Sequence, residues 1–168
     1  MFMNNTITVK SNNRPIYDIL LQHNYDKLGE ELLKLNTKEK KICIVSDSNV
    51  SQIYLNILYD YVKEYCNVVE TFVFPAGEAS KNLDTVNSLY EHLIKANFDR
   101  KDLLIALGGG VVGDLTGYAA ATYLRGISFI QMPTSLLAMV DSSIGGKTGV
   151  DYQAYKNMIG AFHQPKLV

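Results

Sequence analysis

The chain has 168 residues, 47% hydrophobic and 20% charged, with a formal net charge of −1. That length suits one domain with a genuine core, and the composition is that of an ordinary globular protein. A charge so close to zero provides no global field for nucleic acid or an anionic membrane, so neither is an expected partner.

The opening MFMNNTITVK has no basic region followed by an apolar one, and so does not read as a signal peptide. No run reaches the ~20 apolar residues of a bilayer span. A cytoplasmic location is the expectation. Next, ITVK reads as a short strand, with PIYDILL a second strand or its hairpin partner. YDKLGEELLKL is amphipathic at helical spacing. KKICIVSD is a β-branched apolar run, hence a buried strand. VSQIYLNILYDYVKEYC places Ile53, Ile57, Tyr61 and Tyr65 at i, i+4 steps, a helical face. VVETFVFP alternates and stops at a proline, as a strand does. Ser80 is the expected cap of the next helix, whose apolar face carries Val86, Leu89, Leu93 and Ile94. DLLIALG is a strand, VVGDLTGYAAATYL a small-residue helix and ISFIQMP a further strand. The remainder reads as glycine-rich loop and short helix.

Strands alternating with helices, and apolar along their length, argue an α/β fold. The expected architecture is Rossmann-like, a mostly parallel sheet with helices on both faces. Such sheets bind ligands at the carboxyl ends of their strands. There stand Asp47 and Asn49, Gly77 and Glu78, Gly108 to Asp114, and Thr134 and Ser135. Cys43 and Cys66 read as free structural thiols. With three scattered histidines, and neither CxxC nor HExxH, the chain shows no self-contained metal site.

Gly108-Gly109-Gly110-Val111-Val112-Gly113 matches GxGxxG between a strand and a helix. Bare backbone there approaches a pyrophosphate closely, and the helix N-terminus adds partial positive charge. The alternative is a tight turn where helix meets strand. The pattern departs from a standard dinucleotide site, because the strand is not the first and the next one ends at Met132-Pro133 without an acid. Asp47 either holds ribose hydroxyls instead or caps the helix that begins near Asn49. Asp114 either caps its helix or faces a cofactor. Glu78 and Lys81 stand at i, i+3, the spacing of a solvated ion pair.

Asp141-Ser142-Ser143-Ile144-Gly145-Gly146-Lys147-Thr148 ends like a phosphate loop, but aspartate stands where GxxxxGK[ST] needs its first glycine. That excludes a nucleoside-triphosphatase. Lys147 beside two glycines still suits a phosphate monoester. Lys156, Asn157 and Arg125 add polar groups. A cluster of Arg125, Lys147 and Lys156 around Asp141 points to an anionic, polyhydroxylated ligand, unless each is only a surface charge. Asp47, Asp114 and Lys147 are expected to share one cleft.

These segments together resemble the 3-dehydroquinate synthase family: VSDSNV, FPAGEASKNLDTV, GGGVVGDLTGYAAATYLRGI, MPTSLLAMVDSSIGGKTGV and KNMIGAFHQP. The resemblance implies a two-domain enzyme of the shikimate pathway, dependent on NAD and a divalent metal, zinc or cobalt. It implies conversion of 3-deoxy-arabino-heptulosonate 7-phosphate to 3-dehydroquinate and phosphate. Residues 1–168 would be the N-terminal NAD-binding domain. A helical C-terminal domain, absent here, would supply the metal ligands. Implied NAD contacts are Asp47, Asn49, Glu78, Lys81, Gly109, Gly110, Val111, Asp114, Thr134 and Ser135. Implied substrate contacts are Asp141, Lys147, Lys156 and Asn157, with Asp141 and Lys147 catalytic. Arg125 would reach the phosphate from the neighbouring subunit of a homodimer. The family commonly has asparagine where Asp151 stands and glycine where Tyr155 precedes Lys156, which softens the assignments of Lys156 and Asn157. Without the second domain the chain is expected to be inactive. The alternatives are another sugar-phosphate cyclase and a stand-alone NAD-binding module.

Overall fold

A computed structural model describes residues 6–168. The first feature is a hairpin of β1 (Thr6–Ser11) and β2 (Arg14–Leu20), turned by Asn12 and Asn13 at φ 49° and 63°. Asparagine tolerates that left-handed pair of conformations, as a two-residue hairpin turn requires. Helix α1 (Asp26–Lys34) leads to β3 (Lys41–Asp47), and a π-helical turn at Ser51–Leu55 runs into α2 (Asn56–Val62). Then follow β4 (Val68–Phe74), α3 (Leu83–Lys95), β5 (Leu103–Gly108), α4 (Gly110–Thr122) and β6 (Ser128–Pro133). A second hairpin, β7 (Lys147–Tyr152) and β8 (Tyr155–Phe162), follows another π-helical turn at Ala138–Ser142.

Strands β4-β3-β5-β6 form one parallel sheet in that order. It has a core on each face. Cys43, Val45, Leu104 and Ala106 point to α3 and α4, meeting Val86, Leu89, Leu93 and Leu115. Ile42, Ile44, Leu103 and Ile105 point to α1 and α2, meeting Leu28, Leu32, Leu58 and Val62. Burial on both sides is why β3 and β5 read as unbroken apolar runs. No helix among the described residues is long and apolar enough to cross a membrane.

Four local expectations fail. In α2 the buried residues are Leu58 and Val62, while Ile53 and Ile57 are 62% and 59% exposed. The inward stripe is Leu55, Leu58 and Val62, at ordinary helical spacing, so Ile53 and Ile57 fall on the outer face. At α3 the cap is Asn82, whose side chain accepts from Thr85 N; the Ser80 hydroxyl donates instead to Pro75 O. Ile94 lies off the buried stripe, exposed. The segment after residue 146, expected as loop and short helix, is the β7–β8 hairpin, with Gly149 opposite Gly160. Its glycines hid the alternation that marks a strand.

The segment 166–168 joins the first hairpin to the sheet. Lys166 N donates to Phe129 O (2.8 Å) and Gln131 N to Leu167 O (3.0 Å). On the other side Val168 N donates to Asp18 O (3.0 Å) and Leu20 N to Val168 O (2.8 Å). Leu167 is 4% exposed and packs into the α1–α2 core. Leu167→Ala should therefore cost ~3 kcal/mol in urea unfolding. The Leu20 and Val168 amides should lose hydrogen-exchange protection before the β3 and β5 amides do.

Candidate functional site

The parallel register brings four strand ends into line. Asp47 sits opposite Phe74, and Gly108 opposite Pro133. Beyond the ends, Ser48 N donates to Phe74 O and Thr134 N to Gly108 O. The sheet also has a switch point here. From β3 the chain first moves outward to β4, then returns to β5 on the other side and continues to β6. Crevices at the carboxyl ends of a sheet open where its connections diverge in this way.

The glycine turn occupies that position. A Cβ on Gly108 would lie 2.4 Å from Val112 Cγ2, so the turn must be bare for α4 to follow β5 closely. Gly109 and Gly110 face outward, towards hydroxyls. Ser135 Oγ is 3.5 Å from where a Gly109 Cβ would stand, and Ser142 Oγ 3.1 Å from that of Gly110. No side chain caps α4. Its first-turn N–H groups, including those of Gly110 and Val111, therefore lack partners within the helix. Both residues are partly open to solvent.

The β7–β8 hairpin lies against α4 because Gly117 is bare: a Cβ there would stand 2.4 Å from Thr148 Cγ2. Between hairpin and helix opens a cleft of about 500 Å³. Asp114, Asp141, Ser142, Lys147 and Asn157 give it its polar character. A second cavity of about 490 Å³ lies beside the ends of β5 and β6, lined by Leu107, Met132, Thr134 and the loop after β2.

One buried ion pair ties the parts together. Lys81 Nζ donates to Asp114 Oδ2 at 2.6 Å and to Asn157 Oδ1 at 2.5 Å. The Lys81 side chain is 6% exposed and that of Asp114 20%. Burial pushes the Asp114 carboxyl above its ordinary range; Lys81 pulls it down, and the nearby acids Glu78 and Asp151 push it up. The ion pair alone would lower it, but burial is the larger effect.

Of the expected residues, the cleft gathers Asp114, Asp141, Lys147 and Asn157, with Lys81 directly behind. Gly109, Gly110, Val111 and Ser135 border the glycine turn, and Thr134 faces the second cavity. Asp47 does not line the cleft. Its Oδ1 accepts from Asn49 N and Val50 N at 2.8 and 2.9 Å, the capping role. Glu78 and Lys81 do not pair with each other; Glu78 meets Lys156 at 3.2 Å. The cationic cluster around Asp141 does not form. Lys156 is drawn to Glu78, and Arg125 follows α4 at the opposite edge of the sheet, ~20 Å away at 1.5 Å per helical residue. Charge counting along the sequence cannot see a helix length intervene. Ser142 was not singled out as a site residue, although it sat within the DSSIGGKT segment.

Cys43 and Cys66 are free, as expected. Burial pushes both thiols up, Cys66 to about 11, so neither is a ready nucleophile. Among the described residues no group of three or more His, Cys, Asp or Glu could hold a metal.

The family model for the N-terminal part of 3-dehydroquinate synthase matches residues 71–168. The chain belongs to the 3-dehydroquinate synthase family. The 3-dehydroquinate synthase of Streptococcus suis is 50% identical over 159 residues, covering 95% of this chain and 44% of that protein. The enzyme of Crocosphaera subtropica is 49% identical over 153 residues, covering 90% and 42%. The chain thus spans less than half the length of these relatives. A solved 2-deoxy-scyllo-inosose synthase, complexed with carbaglucose-6-phosphate, NAD+ and Co2+, superposes with a TM-score of 0.85 at 28% identity, over 97% of this chain and 44% of its own. The 2-epi-5-epi-valiolone synthase of Streptomyces hygroscopicus, with NAD+ and Zn2+, gives 0.76 at 29%, over 95% and 44%. This member of the family therefore shares its Rossmann-like fold with sugar-phosphate cyclases.

Asp114→Ala should leave the Lys81 ammonium buried with only Asn157, costing ~3 kcal/mol in denaturant unfolding. The pH dependence has a definite sign. A raised folded pKa means the native state holds the Asp114 proton more tightly than the unfolded chain does. Its contribution is present below the ordinary 3.8 and is lost as pH rises through the raised value. Stability measured across that interval should lose this downward component in Asp114→Ala.

Proposed function

We propose that the chain is the NAD-binding half of a 3-dehydroquinate synthase. The complete enzyme would convert 3-deoxy-arabino-heptulosonate 7-phosphate to 3-dehydroquinate and inorganic phosphate in the shikimate pathway. The observation that carries this reading is the cleft in which Lys147 and Asn157 face Asp141, beside an uncapped glycine turn at a sheet switch point. Identities near 50% to 3-dehydroquinate synthases, against 28–29% to the two cyclases that make other carbocycles, favour this substrate over theirs.

NAD supplies a reversible hydride acceptor for a sugar carbinol carbon. The bare turn at Gly109, Gly110 and Val111 fits its pyrophosphate, with free N–H groups at the α4 N-terminus and the Ser135 hydroxyl at the rim. Thr134 borders the cavity beside it, and Asn49 and Glu78 stand on neighbouring strand-end loops. Asp47 shapes the first of those loops, while Lys81 and Asp114 set the wall of the cleft. On the substrate side, the Lys147 ammonium donates to phosphate oxygens, and the Asn157 amide adds a neutral donor. Asp141 accepts from a sugar hydroxyl. These contacts orient the ring for loss of phosphate by elimination once the neighbouring carbon is a ketone. Lys156 rests on Glu78 and is free to exchange that exposed partner for an anion.

Among the described residues no His, Cys, Asp or Glu cluster fits a metal ion. The reading places metal ligands in a second, helical domain. Arg125 belongs to a different surface. Leu124 and Arg125 hold φ of 49° and 68°, a strained exposed turn of two non-glycine residues. Such strain persists where a side chain has to project in one direction. We assign that projection to the neighbouring subunit of a homodimer.

Two measurements test the reading. The chain should bind NAD in calorimetry, and Gly110→Val should abolish the heat, because the branched side chain displaces Ser142 and covers the turn. Unchanged affinity would remove the cofactor assignment. Incubated with substrate, NAD and zinc, the chain alone should release no phosphate; turnover at the rate of a full-length relative would sink the half-enzyme reading.

A further inference from the structure

Asp151 lies outside every expected set of site residues, yet it closes a ring of contacts around Asn157. Its backbone N–H donates to Lys81 O at 2.8 Å. Its Oδ1 accepts the backbone N–H of Asn157 at 2.7 Å. Asn157 is held at φ 53°, a conformation asparagine adopts more readily than other non-glycine residues. The ring closes through the Asn157 side chain, whose Oδ1 accepts from Lys81 Nζ at 2.5 Å.

That last contact fixes which way the amide points. A lysine ammonium only donates, so the atom facing it must be the amide oxygen. The amide NH2 is left for the cleft that Asn157 lines. A relaxed backbone at Asn157 would free the amide to turn, and an oxygen presented beside Lys147 would repel an anion.

We propose that Asp151 is a positioning residue that holds Asn157 as a hydrogen-bond donor towards an oxyanion in the cleft. The proposal deepens the phosphate-binding reading above and rests on it. Asp151 itself touches no ligand. Its carboxylate acts through geometry, and an acid so near the cleft would otherwise oppose an anion.

The test uses this chain, inorganic phosphate as probe, and two variants, Asp151→Ala and Asp151→Asn. Asparagine keeps the acceptor oxygen without the charge. NMR titration gives phosphate affinity, and hydrogen exchange at the Asn157 amide reports the Asp151 contact. Asp151→Ala should weaken phosphate binding about tenfold, roughly the worth of one charge-assisted hydrogen bond, and expose the Asn157 amide to exchange. Asp151→Asn should restore protection and bind at least as tightly as the parent. Equal phosphate affinity in the parent and Asp151→Ala overturns the positioning role while the phosphate reading stands. So does an Asn157 amide still protected in Asp151→Ala. Absence of phosphate binding by the parent overturns both. Protection of the β3 and β5 amides in each variant shows that the fold is retained.

Discussion

The buried contact of Lys81 with Asp114 and Asn157 is the constraint on which the cleft depends. Three separate pieces of chain meet there: the loop before α3, the second turn of α4 and the β7–β8 hairpin. Asp151 N, bonded to Lys81 O, and Lys156, paired with Glu78, add to the hold of the hairpin on the sheet domain, while Thr148 bonds within its own hairpin, through Ala161 O. A buried ammonium without partners is costly, so the three pieces cannot separate cheaply. The interaction gains less from attraction than it imposes in arrangement. Two charges leave water to form it, and the upward push on the Asp114 carboxyl shows that the exchange is not free.

The parallel sheet determines where that arrangement sits. Because all four strands run the same way, every strand–helix turn falls on one edge. The divergence of connections between β3 and β5 leaves room there for the glycine turn. Asp114 of α4 then meets the cleft from one side and hairpin residues meet it from the other. A cofactor at the turn and an anion beneath the hairpin would be neighbours, separated by the first turn of α4. That adjacency is what a hydride exchange between cofactor and a phosphorylated sugar requires, and it follows from topology more than from any single residue.

Much of this was legible in the sequence. β3 and β5 announced themselves because burial on both faces leaves long apolar runs, and the helix following GGG was fixed by its context. Asp114, Asp141, Lys147 and Asn157, which line one cleft, stand out in the sequence because glycine-rich segments carry few side chains. The errors have one origin. Ile53 and Ile57 make one helical stripe and Leu55, Leu58 and Val62 another, and spacing alone does not choose between them. The β7–β8 hairpin was missed because Gly149 and Gly160 interrupt its alternation. Arg125 was grouped with Lys147 because both follow glycine-containing turns, although a whole helix separates them. Glu78 and Lys81 stood at the right spacing for each other, yet burial selected Asp114 as the stronger partner. In each case a long-range contact overrode a local pattern.

The cleft is open to water, and this limits what its charges achieve. Lys147 is exposed, and so is Phe162, which stands opposite it in the hairpin, at 81%. An ammonium in contact with water attracts a phosphate by only ~1 kcal/mol at 4 Å. The same pair in a dry site interacts several times more strongly. Preorganised donors act most powerfully where water is excluded and the dipoles need not reorient. The residues in this chain therefore supply orientation: an uncapped turn, a fixed amide, a lysine on a short strand. Excluding water from them would require cover over the mouth of the cleft, where the Phe162 ring stands exposed.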